Sequence, residues 1–270
     1  MNIGVRAHDY GKRSIEEMAG LLSGKGFTCV QLALPKAFSE IESYEDITPQ
    51  IIERIRRSFE DAGIKISVLG CYMDIANPDD SVREAAIATF RRCLEWNRDL
   101  EASVVGTETA YPHLSPREKA LWRPYMFESV AKITETAARL GVKAAVETVW
   151  WHPLENLDTL LEVMKQVNDE RHLRLIFDAS NLLEHPDTTD QSALWKTWLE
   201  KAGRYIEAMH IKDFRRDAEG GYIPTPLGKG VMDYTEIAAW LRKNRPDMPL
   251  LREEMDPHND LADIEYLRRW

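Results

Sequence analysis

Four short apolar runs in the second half of the chain each lead into a side chain that can bind a metal ion. These side chains are Glu147, Asp178, His210 and Glu253. Three carboxylates and one imidazole suit a hard or borderline divalent cation, with positions left for water or substrate oxygens. Without a cation, three converging carboxylates would repel one another, and at least one would tend to take up a proton. If the four side chains meet, the sequence predicts one bound divalent ion: Mn²⁺, Mg²⁺, Co²⁺ or Zn²⁺.

Each of these residues also has a structural interpretation, because strand ends often carry polar side chains that cap the next helix. The last run poses a further choice, since Arg252, Glu253 and Glu254 follow one another there. Side chains alternate between the two faces of a strand, so only one of the two glutamates can face the site. An arginine inside a packed barrel is costly unless it is paired. We therefore expect Glu253 to face inward and Glu254 to face away.

The elements that would position these residues alternate along the whole chain. Eight runs are predicted as strands from their β-branched and leucine content, and eight segments as helices from their 3.6-residue periodicity. The predicted strands cover residues 3–5, 28–32, 65–69, 103–106, 142–146, 173–177, 206–211 and 249–251. The predicted helices cover residues 14–22, 49–62, 81–96, 117–140, 154–167, 192–202, 234–243 and 261–269.

Eight strand–helix units in 270 residues match the size of a (β/α)8 TIM barrel, which we predict as a single domain over residues 1–270. A doubly wound open sheet is the main competitor. It would normally show a glycine-rich phosphate turn after an early strand, and the segment from Gly4 to Gly11 does not have that pattern. In a barrel, active-site residues lie at the C-terminal ends of the strands, and the four candidate ligands occupy such ends.

Composition excludes several classes of partner. The chain has 35 Lys+Arg and 45 Asp+Glu, a net charge of −10, so we expect no nucleic-acid partner, because phosphate contacts need clustered basic residues. It contains no run of about 18 apolar residues, so we expect no membrane span. The N-terminus lacks a signal-peptide pattern and the three cysteines form no CxxC pair, which predicts a cytoplasmic protein without a disulfide framework. The expected partner is a small molecule, and a homo-oligomer is possible.

The phrases around the four candidate ligands resemble those of the xylose isomerase-like TIM barrels, a superfamily of sugar phosphate isomerases and epimerases. They read Ala-Val-Glu-Thr at 145–148, Ile-Phe-Asp-Ala-Ser-Asn at 176–181, Met-His-Ile-Lys-Asp at 209–213 and Leu-Leu-Arg-Glu at 250–253. The segment 227–234 is similar to the Gly-x-Gly loop of the family. The resemblance extends over essentially the whole chain.

This resemblance implies that the four candidates bind one divalent metal ion, and that Glu147 and Glu253 form an acid/base pair on the two faces of a ketone substrate. Removing a proton beside a ketone leaves negative charge on the carbonyl oxygen, and a cation that holds this oxygen stabilises the enediolate. The sequence departs from the family at Asn181, where many epimerases have a histidine. An asparagine can donate a hydrogen bond but cannot shuttle a proton.

Several functions fit the pattern. The leading one is a metal-dependent isomerase or epimerase of a small polyhydroxylated ketone. A dehydratase of a cyclic polyol ketone or a shikimate-type acid shares the metal and the enolate, and a non-catalytic sugar-binding barrel is a third possibility. Nucleases of the superfamily need a histidine-rich multi-metal cluster, and of seven histidines only His210 lies at a strong strand-end motif.

Further residues are weaker candidates for substrate binding, because they follow strand ends or share strand parity with a candidate ligand. They are Glu108, Trp151, His152, Asn181, Lys212 and Arg216. Each also has an ordinary structural interpretation, as part of a packed aromatic loop, a subunit contact, an ion pair or a solvated loop.

Overall fold

Short β-branched and leucine-rich segments form a closed barrel of eight parallel strands in the computed structural model, which describes residues 2–186 and 188–270. The barrel strands are β1 (Asn2–Arg6), β2 (Cys29–Leu32), β3 (Lys65–Gly70), β4 (Val104–Thr107), β5 (Ala144–Glu147), β6 (Leu173–Asp178), β7 (Ile206–Ile211) and β10 (Pro249–Arg252). Parallel pairing of β10 with both β7 and β1 closes the ring. The predicted (β/α)8 barrel is confirmed.

Helices connect the strands and cover the outside of the barrel. They are α1 (Ile15–Gly24), α2 (Leu34–Ala37), α3 (Pro49–Asp61), α4 (Asp80–Leu100), α5 (Pro116–Leu140), α6 (Leu157–Val167), α7 (Gln191–Ala202), α8 (Thr235–Asn244) and α9 (Asp260–Arg268). Local signals fix several ends: Ser14 and Ser115 form capping boxes, and Gly141 ends α5 with a φ of 70°. All eight predicted helices are present, and the structure adds the single-turn helix α2 and several short 3-10 helices that the sequence did not predict.

One layer of small and branched side chains fills the inside of the barrel. Seven strands contribute one buried residue each: Cys29, Val68, Val104, Ala145, Ile176, Ala208 and Leu251. Packing there is tight, because a Cβ added to Gly106 would lie 2.3 Å from Cδ1 of Ile176. A second and larger apolar cluster packs the outer faces of the strands against the helices. This interior layer fixes the register of the strands. The register in turn determines where the next inward-facing side chain of each strand lies.

Arg252 lies on the opposite face of β10 from the interior residue Leu251. It is 2% exposed, and its Nε donates a hydrogen bond of 2.7 Å to Oδ2 of Asp263 on α9. The expectation that this arginine avoids the barrel interior is therefore confirmed. It is nevertheless fully buried, and its charge is balanced by a buried aspartate.

A hairpin that the sequence did not predict interrupts the alternation after β7. Its two antiparallel strands, β8 (Asp213–Arg216) and β9 (Tyr222–Thr225), pair with each other and not with the barrel. The rings of Phe214 and Tyr222 stack across it with centroids 4.7 Å apart. The hairpin rises beside the C-terminal mouth of the barrel, directly after the strand that carries His210.

The Gly-x-Gly segment holds the base of this hairpin. Oδ2 of Asp213 accepts hydrogen bonds from the backbone N–H groups of Gly228 at 3.0 Å and Gly230 at 2.9 Å. A Cβ at Gly230 would lie 2.1 Å from Oδ1 of Asp213, so only glycine permits this approach. The backbone donors of this loop are therefore engaged by an aspartate of the same chain.

Within residues 2–186 and 188–270, no helix combines the length and the apolar composition that crossing a bilayer requires.

Candidate active site

Strand register brings the four predicted ligands to one point on the barrel axis. Residues two apart on a strand share a face, and each candidate follows an interior residue by two positions. The pairs are Ala145 and Glu147, Ile176 and Asp178, Ala208 and His210, and Leu251 and Glu253. All four candidate side chains therefore point inward just beyond the packed layer, and all four are buried.

The distances between these side chains are those of a single cluster. Nδ1 of His210 lies 3.1 Å from Oε2 of Glu147 and 3.4 Å from Oε1 of Glu253. Glu147, Asp178 and His210 each offer one ligand atom within 4.8 Å of the others. Glu253 borders this group of three through His210. One ion could therefore contact several of these atoms at once.

Three buried atoms in the cluster make charged contacts but no hydrogen bond of regular geometry among the described residues. They are Oε2 of Glu147 and Nδ1 of His210, which lie 3.1 Å apart, and Oδ2 of Asp178, which lies 3.0 Å from Nζ of Lys212. Buried polar atoms in proteins are nearly always hydrogen-bonded, so these neighbouring atoms of metal-ligating type are free to share a cation. Carboxylate oxygens and an imidazole nitrogen are a donor set that Mn²⁺, Mg²⁺, Co²⁺ and Zn²⁺ accept. The side chains present therefore fit a divalent cation.

The remaining atoms of these three side chains are held by neighbours. Oδ1 of Asp178 accepts hydrogen bonds from the backbone N–H of Ser180 at 2.8 Å and of Asn181 at 3.1 Å. The amide of Asn181 donates to Oε1 of Glu147 at 2.7 Å, and Nε2 of His210 lies 2.6 Å from Oε1 of Gln31. Such contacts orient each side chain and leave its other donor atom directed at the cluster.

Two cations lie beside the acidic cluster and make the pKa of Glu253 differ from that of Glu147. Nζ of the buried Lys212 lies 3.0 Å from Oδ2 of Asp178 and 3.4 Å from Oε2 of Glu253, and Arg6 approaches Glu253 at 3.9 Å. Burial alone would raise the pKa of Glu253, but the charges of His210, Arg6 and Lys212 hold that pKa well below its usual range.

The pKa of Glu147 moves the other way, because burial dominates there and raises it. Burial lowers the pKa of His210, but Glu253 and Glu147 outweigh burial and raise it to about 9. The two glutamates of the cluster thus have opposite tendencies to carry a proton. Groups whose surroundings separate their pKa values in this way often divide the acid and base roles of a reaction.

A cleft of about 320 Å³ opens beside the cluster. Its walls include four of the six weaker candidates, namely Trp151, Asn181, Lys212 and Arg216. The ring of Trp151 stacks on His113 with centroids 4.6 Å apart, and Trp150 meets Trp151 edge-on at 5.2 Å. The cleft therefore has an aromatic wall, and it adjoins the acidic cluster through Asn181 and Lys212, which contact Glu147 and Asp178.

The other two weaker candidates, His152 and Glu108, do not line this cleft. Nδ1 of His152 lies 3.8 Å from Oε2 of Glu108. Burial, with a smaller effect of His113, lowers the pKa of His152 to about 3. Burial and the charge of Glu147 raise the pKa of Glu108 to about 8. These two residues form a second polar pair close to the acidic cluster.

The expectation that Glu254 faces away from the site is wrong. The strand β10 ends at Arg252, and Glu254 adopts a left-handed backbone with a φ of 52°. Strand alternation no longer applies at that point, and the side chain of Glu254 lines the cleft.

Sequence reasoning also missed residues that complete the site. Gln31 contacts His210, and Nε2 of Gln31 also donates to the hydroxyl of Tyr72. The signal for Gln31 was a single polar residue in the apolar run of β2, two positions after the interior residue Cys29. Tyr222 of the hairpin carried no comparable signal, because the hairpin itself was not predicted.

Comparison with known proteins identifies the family of the chain. Residues 20–270 match the family model of the xylose isomerase-like TIM barrel. The chain therefore belongs to this family. No curated protein sequence matches the chain.

Solved structures of similar fold come from several bacteria. A xylose isomerase-like TIM barrel protein from Mycobacterium smegmatis in complex with magnesium is 19% identical, with a TM-score of 0.73 over 99% of this chain and 95% of that one. A 3-keto-D-glucoside 4-epimerase from E. coli is 17% identical, with a TM-score of 0.76 over 100% of both chains. A probable 3-DHS dehydratase from Bacillus anthracis is 16% identical, with a TM-score of 0.74 over 99% of both chains.

Proposed function

We propose that this protein is a divalent-metal-dependent isomerase or epimerase of a small polyhydroxylated ketone. The observation that carries the proposal is the convergence of Glu147, Asp178, His210 and Glu253 on one buried point, where three of them offer ligand atoms within 4.8 Å of one another. We assign all four as ligands of one ion. When bound, the ion would supply the positive charge that stabilises negative charge on a substrate oxygen during proton removal.

Glu147 and Glu253 are assigned the acid/base roles. Both contact the same nitrogen of His210, so a substrate carbon above this point lies within reach of both carboxyl groups. Arg6 and Lys212 favour the ionised form of Glu253 against the effect of burial, so Glu253 suits the proton-accepting role. Glu147, on the other side of this nitrogen, is assigned to return the proton. Proton removal by one carboxyl and return by the other inverts or relocates a centre beside the ketone.

The cleft residues are assigned to substrate binding. Trp151, braced by His113, offers a flat apolar surface for the C–H face of a sugar. Asn181, Lys212 and Arg216 supply polar groups for hydroxyls and for the ketone end. Outside the lining of this cleft, Glu108, with His152 beside it, is assigned to bind a further substrate hydroxyl. The folds that resemble this chain include a magnesium-bound barrel and an epimerase of a keto-glucoside, which supports the same class of ligand.

Replacing each acid/base glutamate by glutamine tests the proposal. Glu147→Gln and Glu253→Gln each retain one oxygen donor for the cation, but an amide cannot accept the proton. We expect kcat to fall about 10²–10⁴-fold in each variant, with much smaller changes in KM. Turnover of ketopentoses, ketohexoses and cyclic polyol ketones in heavy water, followed by NMR, reports both product and deuterium uptake.

Metal content and an exposed glutamate provide the controls. Glu265→Gln alters an exposed position of α9 and should retain wild-type turnover. His210→Ala and Asp178→Asn should lower the bound metal measured by elemental analysis. Unchanged metal content in both of these variants, or full turnover in either acid/base variant, would contradict the assignment.

A dehydratase in the same site is the second candidate, and Lys212 is the observation that favours it. Its buried ammonium group lies 3.4 Å from Glu253, where it can donate a proton to a leaving hydroxyl while Glu253 removes the proton beside the ketone. Loss of water would then follow proton removal. The NMR assay separates the two candidates, because an epimerase retains the substrate formula and a dehydratase releases an unsaturated product.

A further inference from the structure

Glu254 lines the cleft, although the alternation of side chains along a strand predicts that it faces away. Its φ of 52° lies in the left-handed region, which is unfavourable for a residue with a Cβ. Glutamate has no short side chain that stabilises this conformation locally, as asparagine or aspartate has. The surrounding structure holds the residue there, and the result is a carboxylate turned into the cleft wall. Strained residues of this kind cluster at ligand-binding sites.

The hairpin fixes the carboxylate of Glu254 from one side only. The hydroxyl of Tyr222 donates a hydrogen bond to Oε2 of Glu254. The other oxygen, Oε1, lies 3.9 Å from Nζ of Lys212, which is too far for a hydrogen bond. The side chain of Glu254 is 30% exposed and lines the cleft, so its carboxylate is open to a ligand there. An oriented and solvent-accessible acceptor is therefore available to a ligand.

The rest of the cleft suits a small molecule with one apolar face and several hydroxyls. Trp150 and Trp151 line it together with Glu254, Tyr222 and Lys212. Its volume of about 320 Å³ is at the low end for small-molecule sites, which limits the ligand to about one sugar unit. A carboxylate in such a wall accepts hydrogen bonds from hydroxyl groups and repels an anionic group placed beside it. The two cations of the wall are engaged elsewhere: Lys212 by Asp178 and Glu253, and Arg216 by the backbone oxygens of Gly220 and Glu184.

We propose that Glu254, oriented by Tyr222, is a specificity-determining residue that binds a substrate hydroxyl and selects a neutral polyhydroxylated ketone over one with a phosphate or carboxylate at that end. This inference rests on the proposed function, because it names the substrate class of the same site. Glu254 takes no part in the proton transfer. Its loss therefore weakens substrate binding and leaves the metal in place.

The test compares Glu254→Gln with wild type on one neutral ketohexose and on the same sugar with a terminal phosphate. Loss of a hydrogen bond to a charged acceptor should raise KM for the neutral sugar about 10- to 100-fold, with kcat changed far less. The ratio of kcat/KM for the neutral sugar to kcat/KM for the phosphorylated sugar should fall by a similar factor, because the repulsive charge of Glu254 is removed. Tyr222→Phe retains the carboxylate and loses its orientation, and should raise KM about 5-fold.

Two further measurements make the outcomes distinguishable. Quenching of tryptophan fluorescence by each sugar reports binding without turnover, since Trp150 and Trp151 lie in the cleft. Glu219→Gln, at an exposed position in the turn of the same hairpin, is the matched control and should behave as wild type. Metal content and thermal unfolding establish that each variant is folded and loaded.

Each result has a defined consequence. An unchanged KM and an unchanged preference in Glu254→Gln, with wild type active on the neutral sugar, would overturn this inference and leave the proposed function standing. Loss of bound metal in Glu254→Gln would overturn it as well, because Glu254 would then act on the metal site. A wild-type protein that neither binds nor converts any sugar would overturn both proposals.

Discussion

Replacing Arg252 with methionine should cost the fold about 3–5 kcal/mol, the range for breaking a buried ion pair by removing one partner. The guanidinium of Arg252 lies between β10 and α9 and is 2% exposed. Its Nε donates to Oδ2 of Asp263 at 2.7 Å, and its Nη2 donates to the backbone oxygen of Thr225 at 3.0 Å. Methionine has a similar length and removes these donors without opening a large cavity.

The magnitude follows from what remains after the substitution. Asp263 is also 2% exposed, and its surviving hydrogen bond comes from the backbone N–H of Leu227 at 2.8 Å. A buried carboxylate without its cation retains most of its desolvation cost. The carbonyl of Thr225 loses a charged donor as well, which places the expected loss toward the upper end of the range of about 3–5 kcal/mol. The expected total is large compared with the usual stability of about 5–15 kcal/mol.

Urea unfolding at pH 7, followed by circular dichroism, measures this loss of unfolding free energy directly. In thermal unfolding, the melting temperature should fall by about 6–20 °C. The double variant Arg252→Met, Asp263→Asn removes the uncompensated charge and should recover about 2 kcal/mol or more. Arg242→Met, at an exposed position on α8, is the matched control and should stay within about 0.5 kcal/mol of wild type. A loss below about 1 kcal/mol for Arg252→Met, or no recovery in the double variant, would refute the reasoning.

Two further perturbations have expected outcomes. Because the pKa of His152 is about 3 in the folded protein and about 6.5 when unfolded, the unfolded state takes up the proton first, and stability falls as the pH drops below about 6.5. Between pH 7.5 and pH 5, protonation of His152 in the unfolded state should lower the free energy of unfolding of wild type by about 2 kcal/mol. Urea unfolding at the two pH values should show a smaller loss, by about that amount, for His152→Gln. Equal losses in wild type and variant would contradict the burial argument. Manganese or magnesium at about 100 times its Kd should raise the free energy of unfolding by about 2.7 kcal/mol, and His210→Ala should lose most of this gain in a thermal shift measured against an EDTA control.

The barrel was predictable because its signals are local and repeated. Each strand is a short apolar run such as Ile206–Ile211, and each helix has a periodic apolar face with a cap such as Ser14 or Gly141. The convergence of the four candidate ligands was predictable for the same reason. Once a closed parallel barrel is assumed, residues at the C-terminal ends of its strands must meet at one mouth.

The hairpin and Glu254 were not predictable, because their conformations depend on contacts that are distant in the sequence. Strand β8 contains two exposed arginines, and its partner β9 contains a proline, so neither resembles a buried strand. Their pairing depends on the stacking of Phe214 on Tyr222 and on the Gly-x-Gly loop around Asp213. The inward turn of Glu254 depends on a single backbone angle, which alternation rules do not include.

The buried Arg252 connects the two parts of the site. Its position on β10 places the next residue, Glu253, on the barrel axis, and its guanidinium holds the end of β9 through the carbonyl of Thr225. The hairpin that carries Tyr222 and the strand that carries Glu253 are therefore fixed by one side chain. Substitutions of hairpin side chains that line the cleft, such as Tyr222, should therefore alter ligand preference, whereas substitutions at its base should alter stability and the acidic cluster together.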